Sequence, residues 1–102
     1  SPSETLVREL TAQGADVVCH DPHILYWEEL GITLPKQLPT ATDLDAVIIA
    51  VPHQQYLDLD WAGWVRGNLL ILDANCVLSK EQREAVRAKN IIVESIGRGP
   101  GL

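Results

Sequence analysis

The chain reads as an α/β domain built on a mostly parallel sheet, and three observations predict this. Its four strand-like runs are nearly continuous in Val, Ile and Leu rather than alternating, as in strands covered on both faces. Helical or turn-rich segments separate them, in the order helix, strand, link, strand, helix, strand, helix, strand. The 102 residues, 46% of them apolar, suffice for one core but not for two. Residues 1–102 are therefore expected to form a single domain, with no repeat, low-complexity tract or internal boundary.

The amino-terminal segment opens a helix. Ser1 can cap it, Pro2 suits the first helical position, and Glu4 completes a capping box. Leu6, Val7 and Leu10 recur at helical spacing, Glu4 and Arg8 stand one turn apart, and Gly14 is a natural stop. The first strand-like run, Asp16–His20, lies within GADVVCHDPH. That wording suits the second strand of a dinucleotide-binding fold, with an acid at its tip to meet a ribose. The glycine-rich loop that should come before it is not in Ser1 to Gln13. Ile32–Leu34 is expected to add a short edge strand between Gly31 and Pro35.

Thr42 and Asp43 can cap a brief turn before the strand Ala46–Val51. Gln54–Leu59 with Trp61–Val65 reads as broken, irregular helix, leading to the strand Leu69–Asp73. The clearest helix is Lys80–Lys89. Ser79 caps it, Gln82 holds the capping-box position, Ala85, Val86 and Ala88 form its apolar side, and Asn90 ends it. Ile91–Ile96 is the last strand, and Gly97-Arg98-Gly99-Pro100-Gly101 reads as a flexible exit. With right-handed crossovers between parallel strands, the predicted architecture is a Rossmann-like three-layer α/β domain.

Composition excludes several functions. A formal charge of −6, with eight scattered Lys and Arg, argues against binding a nucleic-acid backbone. No apolar run reaches membrane-spanning length, and the amino end has no charged-then-apolar signal pattern. A cytoplasmic location is expected. Cys19 and Cys76 lie in or beside strand-like runs and are expected to be buried, reduced thiols.

Candidate chemistry gathers at two places. Cys19, His20, Asp21 and His23 are ligand types, but successive strand side chains diverge and Pro22 forces an extended turn. No metal site is predicted. Asp21 keeps two readings, capping the turn at Pro22 or facing a nucleotide. His53, just past the strand Ala46–Val51, and Asp73, Ala74 and Asn75, at the end of the next, lie where open α/β sheets bind ligands. A loop anchor is the competing reading for each. There is no nucleophile elbow, phosphate loop or paired catalytic carboxylate, so no residue receives a catalytic role. The acidic pair and strand-tip Ser/Thr and Lys of a phosphoreceiver domain are missing as well.

Taken together, Ser1-Pro2, GADVVCHDP, DLDAVIIAVPHQQYLDLDW, LLILDANCVL and IIVESIGRG resemble the carboxyl-terminal, UDP-binding domain of nucleotide-sugar dehydrogenases, the UDP-glucose and GDP-mannose dehydrogenase superfamily. The resemblance spans nearly the whole chain in order and spacing. AVPHQQY is similar to members acting on UDP-N-acetylhexosamines. The resemblance implies a domain that holds the UDP part of a sugar nucleotide, while a separate amino-terminal Rossmann domain holds NAD. It implies a parent enzyme that oxidises the C6 alcohol of a UDP-sugar to a carboxylate in two NAD-dependent steps, through a thiol-bound intermediate. The implied partners are a UDP-sugar, the remainder of the dehydrogenase chain and further copies in a homo-oligomer, with no nucleic acid and no membrane. No cofactor is expected on this chain itself.

In that family the domain opens with a strand and a loop carrying Phe-Lys, then Asp-x-Arg, immediately before the Ser-Pro that here is Ser1-Pro2. The first strand is thus expected to be missing from this chain. The family's catalytic cysteine and lysine belong to other portions, and neither Cys19 nor Cys76 matches that cysteine's motif. One departure stands out. Many members read Asp-x-Arg-Asn after the fifth strand, where the Arg contacts substrate. Aligning Asp73 puts Asn75 at the arginine position and Cys76 at the asparagine. Asn75 is therefore the one substrate-binding residue carried over, as a neutral amide in place of a guanidinium fork. The alternative, of a different class, is a noncatalytic Rossmann-like nucleotide-binding or regulatory module. Three expectations follow from the resemblance. The polypeptide alone should oxidise nothing. It should bind UDP weakly at best. With their shared neighbour missing, Asp16–His20 and Ala46–Val51 should expose edges that pair with another chain.

Overall fold

The computed structural model describes residues 2–96, so the Ser1 cap and the expected exit at 97–101 lie outside the described residues. Two compact units are present, one ending at Leu38 and the other beginning at Pro39. In the first, helix α1 (Pro2–Ala12) forms where the spacing requires it. Arg8 Nε lies 2.9 Å from Glu4 Oε2. Gly14, at φ +95°, donates its N–H to Thr11 O, and Ala15 N–H donates to Leu10 O. This pair of bonds satisfies carbonyls that the last helical turn leaves open. Leu6, Val7 and Leu10 are only half-buried, and no residue of α1 is fully buried.

Asp16–His20 does not form the expected strand, and Val18 is 56% exposed. A β run becomes a strand only when a neighbour supplies the ladder's donors and acceptors. Among the described residues neither sheet offers this segment a partner. Instead the first unit holds an antiparallel hairpin of β1 (Tyr26–Trp27) and β2 (Ile32–Thr33), with Tyr26 opposite Thr33. Gly31, at φ +64°, donates to Glu28 O and closes the turn, and Leu34 N–H donates to Leu25 O at 2.8 Å. Arg8 Nη2 donates to Glu29 O at 2.8 Å, tying α1 to that turn. The expected strand at Ile32–Leu34 is thus present as Ile32–Thr33, but it pairs in this hairpin and not at the edge of the parallel sheet.

The second unit carries the parallel sheet. A 3₁₀ turn (Ala41–Asp43) leads to β3 (Ala46–Ile49). The broken helix follows as α2 (Gln54–Leu57) and α3 (Trp61–Trp64). Then come β4 (Leu70–Asp73), α4 (Lys80–Arg87) and β5 (Ile92–Ser95). The strands lie parallel in the order β3-β4-β5, with Val47, Ile71 and Val93 in one row and Ile49, Asp73 and Ser95 in another, two residues further on. This is the Rossmann-like α/β arrangement that the alternation of elements predicts.

Side chains alternate across each strand. Ile49, Ile71 and Val93 are buried in one cluster with Trp61, Val65, Leu69, Leu78 and Val86. Each such aliphatic side chain contributes about 1.5–3 kcal/mol relative to exposure. On the opposite face Leu70 and Ile92, neighbours in the register, are 38% and 60% exposed. The strands therefore do not show the two-sided burial that their continuous apolar runs suggested. Two indole N–H groups are satisfied by carbonyls, Trp61 Nε1 donating to Tyr56 O at 2.8 Å and Trp64 Nε1 to Pro39 O at 3.1 Å.

Helix α4 packs against α3 and β5. Ser79 Oγ accepts from Gln82 N–H at 3.1 Å, as a cap should. Gln82 does not complete the expected capping box, because its Oε1 accepts from Trp61 N–H at 3.1 Å and so links the two helices. Asn90 takes φ 63° beyond the helix end. Among the described residues no helix is long and apolar enough to cross a membrane.

Candidate functional site

Two adjacent parallel strands place their carboxyl ends side by side in the second unit, Ile49 opposite Asp73. Beyond β3 the chain runs through Ala50, Val51 and Pro52 to His53, which caps α2 with φ −62° and ψ 145°. Pro52 fixes its own φ and leaves no N–H to continue the strand. The His53 ring meets Tyr56 edge-on, with centroids 5.6 Å apart at 60°.

Beyond β4 the chain makes a tight turn organised by one buried acid. Asp73 is 0% exposed, and its Oδ1 accepts from Val77 N–H at 2.9 Å and from Asn75 N–H at 3.3 Å. Its Oδ2 accepts from Leu78 N–H at 2.9 Å. Asn75, half-buried, reaches across to β3, where Nδ2 donates to Ile49 O at 3.3 Å. Ala74 N–H donates to the same carbonyl at 3.2 Å. Cys76 sits at the turn's outer corner, exposed and at φ 58°. It is not the buried thiol its apolar neighbours suggested. The left-handed corner turns it outward while Val77 and Leu78 on either side of the turn's exit go into the core.

The structure therefore brings Asp73, Asn75 and the end of β3 together and separates them in role. Asp73 anchors the turn. Asn75 crosses between the strand tips with a neutral amide, and its donor is engaged by Ile49 O. The signal for the anchor was present in the sequence, an Asp closing a strand before a short polar turn, since Asx side chains readily accept backbone N–H groups two residues on.

In the first unit, Asp21 Oδ1 accepts from His23 N–H at 2.7 Å, which is the turn-capping geometry of the two readings left open. His20 Nε2 lies 3.3 Å from Lys36 O. Cys19 is half-buried, and burial pushes its thiol above the ordinary value of 9.0. Among the described residues no three His, Cys, Asp or Glu side chains group to hold a metal ion.

Neither Val51-Pro52-His53 nor Ala74-Asn75-Cys76 carries the Gly-x-Gly-x-x-Gly fingerprint of a dinucleotide-binding turn. The strand-tip acid, Asp73, is buried beneath its own turn and does not face a ribose.

Comparison with protein families finds a match over residues 1–80 to the UDP-glucose/GDP-mannose dehydrogenase family, UDP binding domain. The matched stretch runs from α1 to the first residue of α4 and includes both strand tips. No curated protein and no solved structure matches the chain.

Proposed function

The chain belongs to the UDP-glucose/GDP-mannose dehydrogenase family through its UDP binding domain, and from that premise we propose that the tips of β3 and β4 hold the uridine diphosphate part of a sugar nucleotide. The observation that carries this placement is the convergence of Ala74 N–H and Asn75 Nδ2 on Ile49 O. It locks two adjacent strand ends at the edge where open parallel sheets take their ligands. Asn75, at the position the family's substrate-contacting arginine would occupy, offers its remaining amide acceptor and donor to the nucleotide rather than a charge.

The wider activity follows the family. The domain serves a dehydrogenase that oxidises the C6 alcohol of a UDP-hexose to a uronate, with a UDP-N-acetylhexosamine as the substrate the AVPHQQY wording favours. NAD supplies the hydride acceptor in that chemistry, and it is proposed to sit on a different domain, a reading supported by the lack of a dinucleotide fingerprint at either strand tip. The enzyme is proposed to act in the cytoplasm as a homo-oligomer. A noncatalytic nucleotide-binding module is the second reading, favoured by the neutral amide at position 75.

Titrating the isotope-labelled chain with UDP, uridine and pyrophosphate separately tests the site. Saturable shifts confined to the amides of residues 50, 51, 53, 54 and 74–76 are expected with UDP, at a Kd of about 1 mM, or roughly 4 kcal/mol. Absence of any response at about ten times that concentration, or a response confined to other residues, overturns the assignment. A response to pyrophosphate as strong as that to UDP supports a generic phosphate site over a uridine site.

A further inference from the structure

Asp73 carries an inference beyond the family's UDP site, though it rests on the reading of the strand tips as that site. Burying a carboxylate is costly unless hydrogen bonds replace its water. Here three backbone N–H groups do so, those of Asn75, Val77 and Leu78. These groups lie on a turn with neither ladder nor helix to satisfy them, so the same bonds answer the turn's own accounting. Within that turn Cys76 holds a left-handed φ of 58°, a conformation a non-glycine residue keeps only when its surroundings impose it. The bonds from Asp73 bracket Cys76 on both sides, at Asn75 and at Val77.

We propose that Asp73 is a positioning residue of the nucleotide site. It touches no ligand, because it is fully buried. Its two oxygens hold the turn of residues 74–78 in its bound shape before any nucleotide arrives. That fixes the Asn75 amide against Ile49 O and sets Cys76 at the outer corner. Preorganisation of this kind raises affinity by removing the ordering cost from the binding step.

The full chain with Asp73→Asn tests this, because the amide puts an N–H₂ group against backbone N–H donors while keeping the volume. With β3 and β5 amides still dispersed as in the wild type, UDP is expected to bind about tenfold more weakly. Wild-type affinity in a folded Asp73→Asn chain overturns the inference. Should that variant fail to fold, hydrogen exchange of the unaltered chain decides. The Val77 and Leu78 amides are expected to be protected like those of β4 without UDP, and to change little when UDP is added. Rapid exchange of those two amides in the free chain, slowed only by UDP, overturns it. An unaltered chain that shows no response to UDP defeats the underlying site assignment instead, whatever the variant does.

Discussion

Single residues here are constrained by backbone conformation and by solvation, and both can be tested. Gly14 closes α1 at φ +95°, with nothing within 4 Å of where a Cβ would stand. Space is therefore no obstacle to Gly14→Ala, and any cost is conformational. That variant is expected to lose about 1 kcal/mol in urea unfolding, the left-handed penalty of an L side chain. Cys19 tests solvation. Burial raises its thiol above 9.0, so at alkaline pH the folded chain holds a proton that the unfolded chain releases. The contribution of this thiol to stability is thus fully present below the ordinary thiol range and is lost as pH rises through the folded value. Between about pH 8 and about pH 11 the unfolding midpoint should fall more in the wild type than in Cys19→Ala, which isolates this group from the lysines and tyrosines. Equal slopes would show that Cys19 titrates alike in both states. Cys76, exposed at its corner, should react with a neutral thiol reagent well before Cys19.

At the scale of elements, local signals were legible and partner-dependent ones were not. The Ser79 cap, the Glu4–Arg8 pair and the Gly14 stop are interactions within a few residues, and the structure shows all three. The parallel strands at Ala46–Ile49, Leu70–Asp73 and Ile92–Ser95 sit inside the expected runs, the first two trimmed at one end and the last by one residue at each end. Asp16–His20 has the same apolar wording as those strands but no ladder, because strand formation depends on a neighbour that composition does not reveal. The Tyr26–Trp27 strand is two residues long and carries no periodicity to read. Gln82 was legible as a capping residue by spacing, yet tertiary packing offered its side chain Trp61 N–H instead. For the site, the positions of His53 and Asn75 at strand ends were legible, whereas the burial of Asp73 beneath its turn required the fold. The cap itself yields a measurable expectation. Ser79→Ala should cost about 1 kcal/mol in denaturant, and Ser79→Asp should restore most of it, since either oxygen can accept from Gln82 N–H. A Ser79→Ala chain as stable as the wild type would mean that the Gln82–Trp61 link alone holds the start of α4.

Across the whole molecule, stability is distributed unevenly between the two units. Every residue of the buried cluster, from Ala41 to Val93, belongs to the second unit. Among the described residues of the first, Leu34 is the buried hydrophobic one. Helix α1 there has no fully buried residue, and its Glu4–Arg8 pair is a solvent-screened surface ion pair of the kind worth only tenths of a kcal/mol. An eleven-residue helix without a buried face is marginal by itself. The central strand β4 is hydrogen-bonded on both sides, and Ile71 within it is 0% exposed. Local opening should therefore begin in the first unit and reach β4 last. Native-state hydrogen exchange is expected to show the Ile71 and Leu72 amides exchanging slowest, near the rate set by global unfolding. The α1 amides should exchange at least about a hundredfold faster, a gap of roughly 2.7 kcal/mol. Ile71→Ala should lower global stability by about 2–5 kcal/mol through the cavity it leaves, and should accelerate exchange at β4 far more than at α1. Ile92→Thr, on the exposed face one strand away, should move neither by more than about 0.5 kcal/mol. If α1 and β4 instead exchange at one common rate, the two units unfold together and the uneven distribution inferred from burial is wrong.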